Sequence, residues 1–353
     1  MGAAGGSGTG GTTLWFSLDE LKAGTEGAPP SSGPAAVPDA SVWIISCGEA
    51  VPSCAGPTSG AVEAGDVIGW DVTLFDGALD PTKYGDGIRQ AVAAGADAVI
   101  LAAVDCPVVQ QPIQEAKAAG VKVVAFYSID CDPGLFDAEV QFQGYEGLTT
   151  SYGQVVADWG AAKARYLIDE LGGDVKVISY QEDDLLAVTD IYEGFERELA
   201  TCDTCEIVER IEFTFADLLA PTGLRDQTLA ALQAHPEANA VHALYDGMSL
   251  LGVAQAVVDS GRNDEITMVG GEGFAPNLDL IRNNAGQDVA IAFPTSWTGW
   301  DSIDTVNRLL SGESNANSGI GWRLIDATQN LPEAGGYEPD VDYRSAYRAV
   351  WGV

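Results

Sequence analysis

Short runs of apolar residues alternate along the chain with segments whose apolar positions recur at helical spacing. The apolar runs predict strands at 42–45, 70–75, 98–102, 121–126, 175–180, 206–213, 241–244, 266–269 and 289–293. Helical segments connect most of them, and the longest is predicted over 152–171. Regular alternation of strand and helix is typical of parallel sheets joined by right-handed crossovers. The pattern therefore predicts an α/β fold with two Rossmann-like, doubly wound lobes.

One β-α-β unit, over residues 241–274, places acidic residues where a ligand would bind. Its first strand stops at Tyr245-Asp246-Gly247, and its second strand stops at Gly270-Gly271-Glu272-Gly273. In open parallel sheets, ligands lie beyond the carboxyl ends of the strands. Asp246 and Glu272 are therefore candidate ligand-binding residues, although an acid at a strand end can equally cap the next helix.

The alternation is interrupted around 139–144 and then starts again, which divides the chain into two similar halves. The predicted units are a flexible linker and N-terminal extension (1–40), an N-terminal lobe (41–143 plus 294–320), and a C-terminal lobe with the tail (144–293 plus 321–353). The tail is expected to pack back on the body through its aromatic residues, Tyr337, Tyr343, Tyr347 and Trp351. Two lobes form a cleft, and such clefts are common ligand sites.

The charge balance excludes some partners. The chain has 17 Lys+Arg against 52 Asp+Glu, for a formal net charge of -35, so it would repel nucleic acid and anionic membranes. No stretch approaches the roughly 20 apolar residues of a membrane span. The Gly/Ser-rich start, residues 1–11, predicts a flexible tether. It could follow a removed export or lipoprotein signal, or it could be a remnant of cloning.

Six cysteines fall into three local groups, Cys47 with Cys54, Cys106 with Cys131, and Cys202 with Cys205. Six cysteines permit fifteen pairings, and locality favours these three. An even set of clustered cysteines indicates an oxidising compartment. The Cys202–Cys205 spacing could also mark a redox motif, but it lies between a helix and a strand, which favours a structural turn disulfide.

Signatures of catalysis and of metal binding are mostly missing. No phosphate-binding loop is present, and the glycines at 270–273 lack the spacing of a dinucleotide fingerprint. His235 and His242 lie neither at strand ends nor near a cysteine pair, which disfavours a catalytic triad and zinc. The acidic run 182–184 could do acid–base chemistry, but a solvated turn is the favoured interpretation. We therefore expect no enzyme activity, no cofactor and no metal.

Several short motifs together resemble one family. They are Asp76-Gly77, Asp80-Pro81, Gln90-Ala91, 95–100 (GADAVI), 192–195 (YEGF), His235-Pro236, 246–248 (DGM), Gly299, Asp304 and Gly312-Glu313. In order and spacing they resemble type I periplasmic solute-binding proteins of the ribose- and galactose-binding class, over about 42–325. The resemblance implies an extracytoplasmic, monomeric receptor, periplasmic or lipid-anchored, whose hinge-linked lobes close on a small ligand. It also implies delivery of that ligand to the permease of an ABC transporter.

The resemblance also implies a ligand-binding set. The corresponding positions are Glu49, Tyr127, Ser128, Asp183, Asp190, Tyr245, Asp246, Glu272, Phe293 and Trp297. Aromatic faces suit the C–H surface of a sugar ring, and carboxylates accept hydrogen bonds from its hydroxyls. The Arg and Gln that sugar-binding relatives use are missing from the matching positions.

Alternative functions remain open at this point. A sugar or polyol is the first candidate ligand. Aromatic rings beside carboxylates, with no Arg opposite, also suit an organic cation through cation–π contact. A third alternative is a sensor that passes ligand occupancy to a membrane signalling partner and transports nothing.

Overall fold

The computed structural model describes residues 16–143 and 152–353. Its strands are β1 (Ser41–Ser46), β2 (Asp71–Asp76), β3 (Ala98–Ala102), β4 (Lys122–Phe126), β5 (Ala138–Glu139), β6 (Gln141–Phe142), β7 (Lys176–Glu182), β8 (Glu206–Phe213), β9 (Ala240–His242), β10 (Thr267–Gly270), β11 (Val289–Ala292), β12 (Asn317–Ile320) and β13 (Arg323–Asp326).

The helices alternate with these strands. They are α1 (Leu18–Ala23), α2 (Pro52–Ile68), α3 (Pro81–Ala94), α4 (Cys106–Ala118), α5 (Tyr152–Glu170), α6 (Leu186–Leu199), α7 (Phe215–Leu219), α8 (Gly223–Ala234), α9 (Asp246–Met248), α10 (Ala254–Asp259), α11 (Ala275–Arg282), α12 (Thr295–Leu310) and α13 (Tyr343–Trp351). A π-helical turn, Ser249–Val253, joins α9 to α10.

The first sheet has the order β2-β1-β3-β4-β5, and all its paired strands are parallel. Helices α2 and α12 pack on one face, while α3 and α4 pack on the other. Every residue of the central strand β3 is buried as a result, which explains its uninterrupted apolar sequence.

The second sheet has the order β13-β11-β10-β9-β7-β8. Its strands are parallel except β13, which runs antiparallel to β11 at the edge. The chain passes between the two sheets three times, after β6, between β11 and α12, and between β12 and β13. Beside these crossings, β6 and β12 pair in parallel as a small separate sheet. The predicted α/β fold with two doubly wound lobes is confirmed.

The N-terminal extension before β1 packs on the body. Residues 16–40 lie against the body, and their backbone is held by hydrogen bonds from Thr25 N–H to the Trp322 carbonyl (2.9 Å) and from Gly27 N–H to the Gly319 carbonyl (2.8 Å). Loop residue Val37 accepts the Trp70 indole N–H at 2.8 Å. The Gly/Ser-rich start at 1–11 and the boundary at 144 lie outside the described residues.

The tail packs back on the body, as predicted. Trp351 stacks on Trp300 with ring centroids 5.6 Å apart, and its indole N–H donates to Asp304 at 2.8 Å. Tyr347 donates to Asp301 at 2.6 Å. The expected assignment of all of 321–353 to the C-terminal lobe needs correction, because only β13 joins the second sheet. Helix α13 packs on α12 and α2, which cover the first sheet.

All three predicted cysteine pairs are disulfide-bonded, Cys47–Cys54, Cys106–Cys131 and Cys202–Cys205. Among the described residues, no helix is both long and apolar enough to cross a membrane.

Candidate functional site

A cleft of about 620 Å³, part of which is open to solvent, lies between the carboxyl ends of the two sheets. Its first-lobe wall consists of residues that each follow the end of a strand. Val51 and the Cys47–Cys54 disulfide follow β1, Leu79 follows β2, and Ala103 follows β3. These residues pack on one another as a small apolar cluster, so the first lobe presents a hydrophobic face to the ligand space.

The second-lobe wall comes from the loops and helices that follow β7 and β8. Its residues are apolar, and they are Leu185, Ala187, Val188 and Ile191 at the start of α6, with Phe215 and Leu218 on α7. The two helices are held together at their starts, because the Asp184 carboxylate accepts the Phe215 backbone N–H at 3.1 Å. Both walls of the cleft are therefore hydrophobic.

Aromatic side chains close the end of the cleft next to the interlobe crossings. Tyr127 lies 5.6 Å from both Phe293 and Tyr152 between ring centroids, and Trp159 lies 5.2 Å from Phe293. The Tyr127 hydroxyl donates to Thr298 at 2.8 Å. This cluster draws on both lobes and offers ring faces to a bound molecule.

The principal polar group of the lining is the carboxyl of Glu272. It accepts the backbone N–H of Asp246 at 2.7 Å, and burial together with the Asp246 charge raises its pKa to about 7. The Ser53 hydroxyl, from the first turn of α2 in the other lobe, lies in the same lining as Glu272. Glu272 is therefore an acceptor between the two lobes that titrates near neutral pH.

A second buried carboxyl, Glu182, lies behind Tyr245. The Tyr245 hydroxyl donates to it at 3.0 Å, and its other carboxyl oxygen has no hydrogen-bond partner among the described residues. Burial raises the pKa of Glu182 to about 8, so the carboxyl is largely protonated at neutral pH.

Asp246 has a structural role at the base of the site. Its carboxylate accepts the backbone N–H groups of Gly271 at 2.7 Å and of Gly273 at 2.6 Å, and it is fully buried. Nearby, Lys163 donates to the Leu244 carbonyl at 2.6 Å and lies 3.5 Å from the centre of the Trp159 ring. These contacts fix the strand ends that carry Tyr245 and Glu272.

The structure brings four of the predicted site residues to the cleft: Tyr127, Tyr245, Glu272 and Phe293. The other six predicted residues lie outside the lining of the cleft. One of them is Asp246, whose carboxylate binds backbone amides instead. Trp297 is buried and turned toward the tail, where it stacks on Tyr343 at 5.0 Å and donates to Tyr347 at 3.2 Å.

The remaining four predicted site residues also lie outside the cleft lining, where they make other polar contacts or face solvent. Glu49 accepts the Thr58 hydroxyl at 2.9 Å, on α2 of its own lobe. Ser128 is buried, and its hydroxyl accepts the Val104 backbone N–H at 3.0 Å. Asp183 is exposed at the turn after β7, and Asp190 lies on α6 beside Gly153, outside the cleft lining.

The sequence prediction missed several lining residues. Tyr152 and Trp159 are seven residues apart on α5 and therefore lie on one helix face, a spacing that could have identified them. Ser53 and Val51 give no comparable signal, because they are ordinary residues at the start of a helix.

The lobes also touch at the rim of the cleft. Asp105, which precedes α4 in the first lobe, accepts the backbone N–H of Leu186 at 2.8 Å, at the start of α6 in the second lobe. Its other oxygen accepts the Ile129 N–H at 2.8 Å. A carboxylate at a helix N-terminus is favourable because the free N–H groups and the helix dipole both attract it.

Among the described residues, one group of acids and cysteines is close enough to hold a metal ion: Cys106, Asp130 and Cys131. Both cysteines are already joined in a disulfide, so their sulfurs are not thiolate ligands.

The sequence matches the profile of the periplasmic binding protein domain over residues 55–314. A comparison with curated protein sequences finds no match. Solved structures share the fold at low identity. The arabinose-transporter binding protein of Shewanella sp. ANA-3, bound to L-arabinofuranose, is 17% identical with a TM-score of 0.68, and the alignment covers 88% of this chain and 95% of that one.

Two further solute-binding proteins of ABC transporters superpose equally well. The one from Burkholderia graminis, in complex with D-arabinose, is 16% identical with a TM-score of 0.70, covering 84% of this chain and 98% of that one. The one from Mycobacterium smegmatis, with bound glycerol, is 20% identical with a TM-score of 0.69, covering 85% and 100%. At these identities the likeness concerns the fold alone.

Proposed function

Because the chain belongs to the periplasmic binding protein domain family, we propose that it is an extracytoplasmic receptor that captures a small solute and delivers it to an ABC importer. The observation that carries the proposal is the cleft between two lobes that are joined by three crossings and touch at Asp105. Three disulfides among the described residues agree with an oxidising, extracytoplasmic compartment.

The mechanism is closure of the lobes around the ligand. The crossings after β6, before α12 and after β12 absorb the rotation, and the rigid sheets carry the cleft walls. In the closed form Asp105 holds the start of α6, and Ser53 of the first lobe stands near Glu272 of the second. Closure buries the solute and creates a joint surface for the permease.

A sugar or polyol is the first candidate ligand. The solved structures of the same fold contain arabinose or glycerol, which supports this class. Tyr127 and Phe293 offer ring faces, and Glu272 offers an acceptor for a hydroxyl.

An organic cation is the second candidate. It is favoured by one observation, which is that the cleft lining contains a carboxyl and several aromatic rings but no Lys or Arg among the described residues. A cation beside Glu272 would be attracted by the carboxylate and by the tyrosine and tryptophan faces.

The proposed receptor is a monomer and catalyses no reaction. The net charge of -35 gives no basis for binding nucleic acid. Attachment to a membrane through a lipid anchor, rather than free diffusion in the periplasm, stays a prediction.

Native mass spectrometry of the protein as purified tests the function, followed by calorimetry with D-arabinose, L-arabinose, glycerol and phenylethylamine. The proposal predicts a retained small molecule or micromolar binding of at least one sugar or polyol. Binding of phenylethylamine alone would favour the second candidate. A protein that carries no solute and binds none of these compounds would contradict the receptor function.

A further inference from the structure

Among the described residues, the lining of the cleft has far fewer polar side chains than an unsubstituted sugar requires. On the assumption that the receptor function is right, we propose that the natural ligand is a sugar or polyol derivative that carries an apolar substituent. Its polar part lies beside Glu272, and its apolar part lies against α6 and α7.

In the part of the lining that the structure describes, the polar side-chain groups are one carboxyl, four hydroxyls and one indole N–H: Glu272, Ser53, Tyr127, Tyr152, Tyr245 and Trp159. The Trp159 N–H is already donated to the Ile291 carbonyl at 2.7 Å. Two of these hydroxyl protons are already donated, from Tyr127 to Thr298 and from Tyr245 to Glu182. Each sugar hydroxyl is a donor and an acceptor, and a buried hydroxyl without partners weakens binding. A free pentose or hexose would leave several of its hydroxyls without partners here.

The polar groups are also confined to one end of the second-lobe wall. Along the sheet, Glu272 follows β10 and Tyr245 follows β9, whereas Leu185 follows β7 and Phe215 follows β8. Neighbouring strands lie about 4.8 Å apart, so β10 and β8 are separated by roughly 14 Å. The carboxyl and the apolar wall therefore face different ends of a ligand.

The apolar end of the lining is only partly covered by the described residues. Leu185 and Phe215 are half-buried, and with Leu218 they face the ligand space across from Leu79 and the Cys47–Cys54 disulfide. Hydrophobic walls on both sides favour an alkyl, thioalkyl or aryl group, since each buried carbon leaves water. They disfavour a carboxylate or phosphate, which would meet no cation in the described lining.

Matched ligand pairs test the proposal. Ribose and 5-methylthioribose differ by the exchange of one hydroxyl for a methylthio group, and D-glucose and phenyl β-D-glucoside differ by one phenyl group. Calorimetry with the full chain is expected to give at least about tenfold tighter binding for the substituted member of one pair. Equal or tighter binding of the unsubstituted sugars would overturn the inference while leaving the receptor function intact.

A pair of variants on helix α7 shows whether this helix causes the preference for the substituted sugar. Phe215→Ser, on the cleft, is expected to remove most of the preference, and Leu219→Ser, which is exposed on the same helix and outside the lining, is expected to keep it. An unchanged preference in Phe215→Ser would contradict the placement. Tighter binding of phenylethylamine than of every sugar would overturn the sugar part, and failure of all compounds together with no retained solute would refute the receptor function itself.

Discussion

The Asp105 carboxylate accepts the backbone N–H of Leu186 at 2.8 Å, which joins the first lobe to the start of helix α6 in the second. Apart from this contact, Asp105 binds the Ile129 N–H within its own lobe. The bond across the rim can exist only when the lobes are together, so it stabilises the closed form relative to the open one.

Replacement of Asp105 should therefore weaken ligand binding. The apparent affinity of a receptor depends on the population of its closed form, and a charged hydrogen bond contributes about 1.5–3 kcal/mol. We expect Asp105→Ala to weaken binding about 10- to 100-fold in calorimetry, and Asp105→Asn, which keeps an acceptor, to weaken it less. Asp80→Ala removes a helix cap confined to the first lobe and is the control. Equal losses in the Asp80 and Asp105 variants would refute the role of the contact.

Glu272→Gln distinguishes the two ligand classes. Glutamine retains a carbonyl oxygen for the Asp246 N–H but carries no charge. For a sugar or polyol derivative, we expect a loss of affinity of about tenfold or less, because one hydrogen bond becomes weaker. A loss of more than about 100-fold in calorimetry at pH 8 would indicate that the ligand is a cation.

Glu182→Gln should change the pH dependence of stability. Burial raises the pKa of Glu182 from the usual 4.5 to about 8 in the folded protein. The protonated form is therefore favoured by folding, and the wild type loses stability as the pH rises from 4.5 through 8. We expect the variant to match the wild type at pH 4.5 and to exceed it at pH 9 by at least about 1.4 kcal/mol, the equivalent of one pKa unit.

Urea unfolding at the two pH values measures this difference. A variant that is less stable than the wild type by the same amount at both pH values would show that Glu182 does not titrate in this range.

Phe293 and Trp297 are four positions apart in the sequence and are expected to have different roles. Phe293 lines the cleft, whereas Trp297 is fully buried against Tyr343 and Tyr347 of the tail helix. Phe293→Leu should weaken binding several-fold with a modest loss of stability. Trp297→Leu should lower the unfolding free energy by about 3 kcal/mol and leave affinity within about twofold. Thermal unfolding and calorimetry on both variants check this, and a binding defect in Trp297→Leu alone would reverse the assignment.

The sequence was sufficient for the lobes and for part of the site. Tyr245 and Glu272 follow strands of a parallel sheet, and the rule that ligands lie beyond such strands predicted their position at the cleft, where both lie. The same rule failed for Asp246, one residue after Tyr245, because its carboxylate turns back to the amides of the neighbouring loop. Which of two adjacent side chains faces a cleft depends on the loop conformation, and the sequence pattern does not contain that information.

The sequence pattern also could not predict which distant segments contact each other, because such contacts depend on the three-dimensional path of the chain. The tail aromatics predicted packing on the body, but the choice of α12 as the partner of α13 depends on the path of the third crossing. Asp183 was chosen from the acidic run 182–184, yet the buried carboxyl is Glu182, at the inward-facing position of β7. Successive side chains of a strand face opposite sides of the sheet, so a shift of one residue in register would exchange the two, and the acidic run alone does not fix the register.

Small-angle scattering on the ligand-free protein and on the protein saturated with its tightest-binding sugar tests the central claim most directly. If the chain is a receptor whose lobes close on a solute, the ligand-free sample must have the larger radius of gyration, and saturation must reduce it. Equal radii of gyration at full saturation, confirmed by calorimetry on the same samples, would contradict capture by closure.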